Sequence, residues 1–396
     1  MLPNLRSRRR TAICSRTGGV PKYSRGPHKT NRRRFLRLTH PMKSVDRRSG
    51  ETILSVVIPA FNVEHYIGVA LRSAIAQPRS EEIEFIVVDD GSTDGTLKEI
   101  LQVKEEASGH SITVIHQENR GVSAARNTAI ARATSRYIGF LDSDDEWAPN
   151  FSDIIMPLLD ADTADIIEFN VGMVNSSGRV VGALTMVDGA STGLRTNSMT
   201  TLLEFARICQ VHSGSRVYRR ELWDGIEFPV GRVYEDAFAI PLVYKRAQTL
   251  YGIRDRLYYY RRRAGSITQT TTLFSVECVA HFAADALKKS EAEDERVYWL
   301  ALFRKFFANQ CFLASRVDAS VLPQAMKLVE ETAAKYRSFA VKHKEPLPEL
   351  RFRTQISVNR RVFQMKGLIK RTLGMELRPA VAAPNRVDSS RLDDRP

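Results

Sequence analysis

Long apolar runs alternate along this chain with stretches in which apolar positions return every three or four residues. The runs "ILSVVIPAF" (53–61), "IEFIVVDDG" (83–91), "SITVIHQ" (111–117) and "YIGFLD" (137–142) read as strands covered on both faces. Between them, residues 64–77, 94–107 and 122–134 carry helical periodicity, and Pro78 ends the first of these helices. Strand–helix alternation with short turns predicts an α/β fold, a Rossmann-like layered sheet flanked by helices. Beyond residue 150 the pattern changes. "ADIIEFNVGMV" (164–174) and "GRVVGALTMV" (178–187), joined through "NSSG", predict a β-hairpin. A helix near 199–209, a short strand at "SRVYRR", a helical run in "GRVYEDAFAIPLVYKRA" and an aromatic strand in "IRDRLYYYRRRAGSIT" complete a second half. Residues 273–340 are helical by periodicity, and the chain is expected to fray after Pro379.

These patterns divide the chain into residues 1–50, 51–160, 161–272, a helical extension over 273–378, and a tail over 379–396. Charge sharpens the division. The net charge is +14, but residues 1–50 hold 15 Lys and Arg against the single acid Asp46, which leaves 44 basic and 44 acidic residues in 51–396. The body is balanced, so no nucleic acid is expected on it, and the basic segment reads as a disordered tail. Its "NRRRFLR" is similar to a twin-arginine signal, but no apolar stretch follows, so export is rejected and Met42 is read as the start of the working chain. No apolar run approaches the roughly 18 residues of a membrane span. The four cysteines, Cys14, Cys209, Cys278 and Cys311, show no C-x-x-C or metal-ligand spacing, and are expected to be reduced thiols of a cytoplasmic protein.

In a parallel sheet, ligands bind beyond the carboxyl ends of the strands. Here those ends hold Pro59 and Phe61, then Asp89 and Asp90, then Asp142 and Asp144. The run "YIGFLDSDDEW" admits two readings: a solvated turn that caps the next helix, or a carboxylate pair for a hard divalent cation. "DDGSTDG" (89–95) fails as a calcium loop, because Leu101 stands where a bidentate Glu is needed, and part of it reads as a helix cap. In "ENRGVSAARNTAIARA" the alanines predict close packing on the sheet, with Asn119 and Arg126 near the pocket rim. Glu235 and Asp236 open a helical run, where they complement the helix dipole or supply a general base. "YYYRRR" reads as a strand with aromatics inward and charges outward, or as a stacking strip for nucleic acid.

Taken together, "LSVVIPAFNVEHYI", "FIVVDDGSTDGT", "NRGVSAARNTAI", "YIGFLDSDDEW", "YEDAFA" and "LYYYRRRAGSIT" resemble the family 2 glycosyltransferases of the GT-A fold, over residues 54–268. The resemblance implies an inverting transferase that uses Mg²⁺ or Mn²⁺ and moves a sugar from a nucleotide-diphosphate sugar to a glycan or lipid-linked acceptor. It implies that Pro59 and Phe61 border the nucleobase, Asp90 hydrogen-bonds it, and Asn119 and Arg126 line the nucleotide side. Asp142-Ser143-Asp144 becomes the D-x-D motif, with Asp144 on the metal and Asp142 facing ribose or metal-bound water. Asp236 becomes the base, Glu235 its neighbour on the sugar, and Arg261 and Ser266 reach the diphosphate. Two rivals remain. A nucleotidyltransferase would carry a Gly-rich, basic loop after the first strand, where "PAFNVEHY" stands, and a nucleic-acid binder would rest on the tail. Along 350–375, Val358, Val362, Met365, Ile369 and Leu373 share a helical face flanked by basic residues. That helix either packs on the body or lies peripherally on an anionic membrane at its inner face.

Overall fold

The computed structural model describes residues 51–175, 178–262, 270–346 and 356–361. β1 (Leu54–Ala60), α1 (Ile67–Ile75), β2 (Ile83–Asp89), α2 (Thr96–Glu106), β3 (Ser111–His116), α3 (Val122–Arg132) and β4 (Tyr137–Phe140) follow the alternation read from the sequence. The four strands are parallel neighbours in the order β3-β2-β1-β4. Every residue of β1 is buried, as a strand covered on both faces requires. α1 starts three residues later than residue 64, the predicted start, because residues 62–65 are spent on a neighbouring loop. The Glu64 carboxylate takes the Gly95 N–H, and Asp94 takes the Glu64 N–H. Asp94 also accepts from Thr96 N–H at 2.9 Å, a turn just ahead of α2, whose N-cap position is held by Gly95 rather than by the expected Asp94 or Ser92.

The second half runs β5 (Glu146–Trp147), α4 (Phe151–Asp160), β6 (Ile166–Val174), β7 (Val180–Leu184), β8 (Gly193–Thr196), α5 (Met199–Ile208), β9 (Arg216–Arg219), α6 (Asp236–Arg246) and β10 (Thr249–Arg261). β6 and β7 pair antiparallel, as the hairpin reading required. The sheet is not parallel throughout. β9 is antiparallel to both β4 and β6, and the order continues β4-β9-β6-β10-β5, with β7 on β6 and β8 on β10. One continuous sheet therefore joins the two halves.

α7 (Leu273–Lys289), opened by a Thr272–Ser275 capping box, α8 (Arg296–Ala314) and α9 (Leu322–His343) form the helical region. Alternation along the strands feeds two cores. Val57, Ile86, Val88 and Phe140 face the side on which α3, α6 and the last three helices pack. Val56, Ile58, Phe85 and Val87 face the side covered by α1, α2 and α4. Ile356 is buried in the first core and Arg360 donates to the Val317 carbonyl at 2.8 Å, while Val358 is half-exposed. Val362, Met365, Ile369, Leu373, Ser266 and both tails lie outside the described residues. Among those described, no helix is long and apolar enough to cross a membrane.

Candidate functional site

The loops after β1, β2 and β3 are tied into one rim. Asn62, in a left-handed conformation (φ 49°), donates its N–H to Ser92 Oγ at 3.0 Å and accepts the Thr93 N–H at 2.8 Å. Gly91 has φ +72°, and a Cβ there would meet the Asn119 nitrogen at 2.8 Å, so glycine is required for the two loops to touch. Asp90 is buried and accepts from Gln117 Nε2 (2.7 Å), Arg120 N–H (3.1 Å) and Gly121 N–H (2.7 Å), which pins the loop ahead of α3. Pro59 is buried in β1, Phe61 beside it exposes its ring, and Asn119 is exposed. Of the residues read from the sequence, Phe61, Asp90 and Asn119 thus lie on the loops of one rim, while Pro59 is buried in the strand that leads to it.

The aspartates after β4 are held from β10. The Asp142 N–H donates to the Tyr258 hydroxyl at 3.1 Å, and that hydroxyl donates to Asp145 Oδ2 at 2.7 Å. Arg261 donates its N–H to Asp145 Oδ1 at 2.8 Å and its Nε to the Asp144 carbonyl at 3.1 Å, and its guanidinium pairs with Glu146. Asp145 is fully buried, and burial beside Asp144 and Asp142 pushes its carboxyl well above the usual carboxylate range. The outward-charge reading of "YYYRRR" is corrected at Arg261. β10 runs past the aspartate loop, so this guanidinium turns in to Glu146 and lies 5.9 Å from the Tyr66 ring.

One guanidinium gathers the remaining acids. Arg126, buried on α3, donates to Asp142 Oδ1 at 2.8 Å, to Asp236 Oδ1 at 3.3 Å, and to Glu235. Burial disfavours its charge, but the three carboxylates outweigh that and raise its pKa well above the ordinary value. Burial would likewise raise Asp142; Arg126 and the nearby His212 ring outweigh it and hold Asp142 below the carboxylate range. At Glu235 burial prevails and its carboxyl is raised. Tyr234 just before it has φ 60°, a left-handed turn that aims both acids from the head of α6.

His212 and Ser213 complete the site; they open "HSGSRVYRRELW", a stretch only loosely similar to the family pattern, to which the sequence assigns no role. Ser213 N–H donates to Asp236 Oδ2 at 3.2 Å. His212 Nε2 lies 3.6 Å from Asp142 Oδ2, and neither ring nitrogen has a hydrogen-bond partner among the described residues. Ligand-capable atoms of Asp142, Asp145 and His212 all lie within 4.8 Å of one another. Two carboxylates with an unengaged imidazole fit a divalent cation. Asp144, read from the sequence as a metal ligand, is half-buried on the same loop but outside that trio. A lone histidine has no spacing partner to reveal it, whereas the third acid of "DSDD" was visible and was passed over.

Residues 55–225 match the family model described as glycosyl transferase family 2. Among curated proteins, the chain is 29% identical to Glycosyltransferase GlyA of Streptococcus pneumoniae over 241 residues, 60% of this chain and 34% of that protein. It is 36% identical to Succinoglycan biosynthesis protein ExoU of Rhizobium meliloti over 126 residues, 32% of this chain and 35% of that one. The chain thus spans about a third of the length of either relative. Among solved structures, residues 1–349 of S. aureus TarS in complex with UDP superpose with a TM-score of 0.53 at 21% identity, covering 84% of this chain and 94% of that one, so the fold is shared.

Proposed function

From the match of residues 55–225 to glycosyl transferase family 2, we propose that this chain moves a sugar from a nucleoside-diphosphate donor to a hydroxyl of a glycan or lipid-linked acceptor, with inversion at the anomeric carbon. The observation that carries this reading is the Arg126 guanidinium, which joins Asp142 at the end of β4 to Glu235 and Asp236 at the head of α6. A donor-side acid and an acceptor-side acid pair, about a hundred residues apart, are thereby held around one space.

Asp236 is the group that accepts the proton of the acceptor hydroxyl. Its Oδ2 is oriented by the Ser213 amide, and its Oδ1 is 3.3 Å from Arg126. Glu235 is more committed: it pairs closely with the guanidinium and is the more buried of the two. It shapes the sugar side and sets the charge around the base. Asp142, Asp145 and His212, with Asp144 on the same loop, would hold a divalent cation, Mg²⁺ or Mn²⁺. When bound, it would stabilise the negative charge that develops on the leaving diphosphate. Phe61, Asp90 and Asn119, with Pro59 in the strand that leads to them, form the nucleoside rim. The ExoU likeness supports a glycan acceptor, and the TarS–UDP complex agrees with a nucleoside-diphosphate donor.

The test is a panel of nucleotide sugars assayed for sugar transfer or release with Mg²⁺ or Mn²⁺. Asp236→Asn keeps shape and hydrogen bonding but removes the proton acceptor, so turnover should fall about 10²–10⁴-fold with donor affinity retained. Activity in Asp236→Asn together with none in Glu235→Gln would reverse the two roles. No turnover of any donor would remove the reading.

A further inference from the structure

Behind the loop that carries His212 and Ser213 lies a buried arginine for which the chemistry above has no use. Arg216 opens β9 and is 2% exposed. Its Nη2 donates to the Gln210 carbonyl at 2.7 Å, and its Nη1 to the His212 carbonyl at 3.0 Å and to Ser215 Oγ at 2.8 Å. Ser215 Oγ donates in turn to the His212 carbonyl at 2.6 Å, and the Tyr218 hydroxyl donates to the Ser213 carbonyl at 3.2 Å. On its far side, Arg216 Nε donates to the Tyr244 hydroxyl, which donates to Glu168. Glu168 also takes Arg195 Nη2 at 2.6 Å. The guanidinium sits 5.0 Å from the Tyr244 ring centre and 5.7 Å from that of Phe205.

A buried charge is costly, and lysine cannot replace a planar fork that must satisfy several acceptors in fixed directions. What the fork holds is the main chain at 210–215. Among the described residues the His212 ring nitrogens have no hydrogen-bond partner, and the ring is flanked by the edges of Tyr258 and Tyr260. Its direction is therefore set by the backbone that bears it. A cavity of about 180 Å³, lined by Glu168, Arg195, Phe205, Gln210, Arg216 and Tyr244, lies on the rear side, while residues 213–215 are themselves buried, with Gly214 close to the Tyr258 ring.

We propose that Arg216 is a positioning residue of the active site. It fixes the 210–215 loop so that the His212 ring stands against Asp142 and the Ser213 amide stands against Asp236. One buried fork thereby sets both the nitrogen ligand of the cation and the orientation of the base. The inference rests on the cation and base roles proposed above.

The experiment is Mn²⁺ titration of the full chain, followed by the electron paramagnetic resonance of free Mn²⁺, with melting temperature and turnover measured alongside. Arg216→Lys keeps a positive charge for Glu168 but loses the fork. Groups that orient a metal ligand typically contribute about 10–100-fold in affinity, and a loss of that size is expected. Tyr244→Phe, which keeps the ring and removes the hydroxyl that accepts from Nε and donates to Glu168, should weaken Mn²⁺ in the same direction by a smaller factor. Because Arg216 acts through His212, Arg216→Lys combined with His212→Asn should bind Mn²⁺ no more weakly than His212→Asn alone. A merely structural arginine would lower the melting temperature and leave the Mn²⁺ affinity of the folded chain unmoved. Wild-type affinity in a folded Arg216→Lys overturns the inference, as do losses that simply add in the double variant. Should Arg216→Lys not fold, wild-type affinity in Tyr244→Phe overturns it equally. If the unaltered chain binds no Mn²⁺, the cation reading falls and the inference with it. If it binds Mn²⁺ independently of Arg216, only the inference falls.

Discussion

Glu84, near the start of β2, shows how single residues fix the connections between elements. Its carboxylate accepts the N–H groups of Thr134 and Ser135 at 2.7 and 3.0 Å and the Ser55 hydroxyl, which stops α3 at Arg132, before the predicted end. Burial alone would raise its pKa, but these donors outweigh burial and hold it below the ordinary 4.5. A depressed carboxyl stabilises the fold above its unfolded pKa, and the contribution disappears as pH falls through the folded value. Glu84→Gln should therefore cost about 1–2 kcal/mol at pH 7, the lower range for hydrogen bonds to a half-buried charge. It should also flatten the loss of stability on acidification below about pH 4.5. Urea unfolding at pH 7 and pH 3 checks both, and an unchanged acid limb would remove Glu84 as its source. At this scale Asp142, Arg126, Glu235 and Asp236 were legible, because each sits in a local motif. His212 and Arg216 were not. Their meaning depends on Asp142, Glu168 and Tyr244, and no spacing along the chain encodes those contacts.

Among the elements, α3 is the support of the site. Ala125 and Ala129 are fully buried where it packs on β1 and β2, and this close approach brings Arg126 to the three acids. Ala129→Leu would force an extra branched side chain into that contact, at a cost of about 1–3 kcal/mol. Thermal unfolding should show the destabilisation and turnover should fall with it, since Arg126 moves with the helix. Unchanged stability would mean that the interface has slack. The parallel strands could be read from the sequence because long apolar runs signal burial on two faces. The antiparallel entry of β9 could not, because four residues carry no record of direction; their partners β4 and β6 decide it.

For the whole molecule, the equal counts of acids and bases in residues 51–396 predict that a chain beginning at Met42 keeps its melting temperature and its turnover. A marked loss of either would make residues 1–41 a working part. The long strand β10 has a consequence of a different kind. Tyr258 and Arg261 hold Asp142 and Asp145 across sequence separations of 113 to 116 residues. Contacts so distant along the chain form late, and during synthesis they must wait for the second partner to leave the ribosome. A nascent chain that has exposed only the first four strands already has the rim that the proposed function gives to the nucleoside, but its aspartate loop is unclamped. On the proposed function the chain would mature in two stages, a binder first and a catalyst only after residue 261 has emerged.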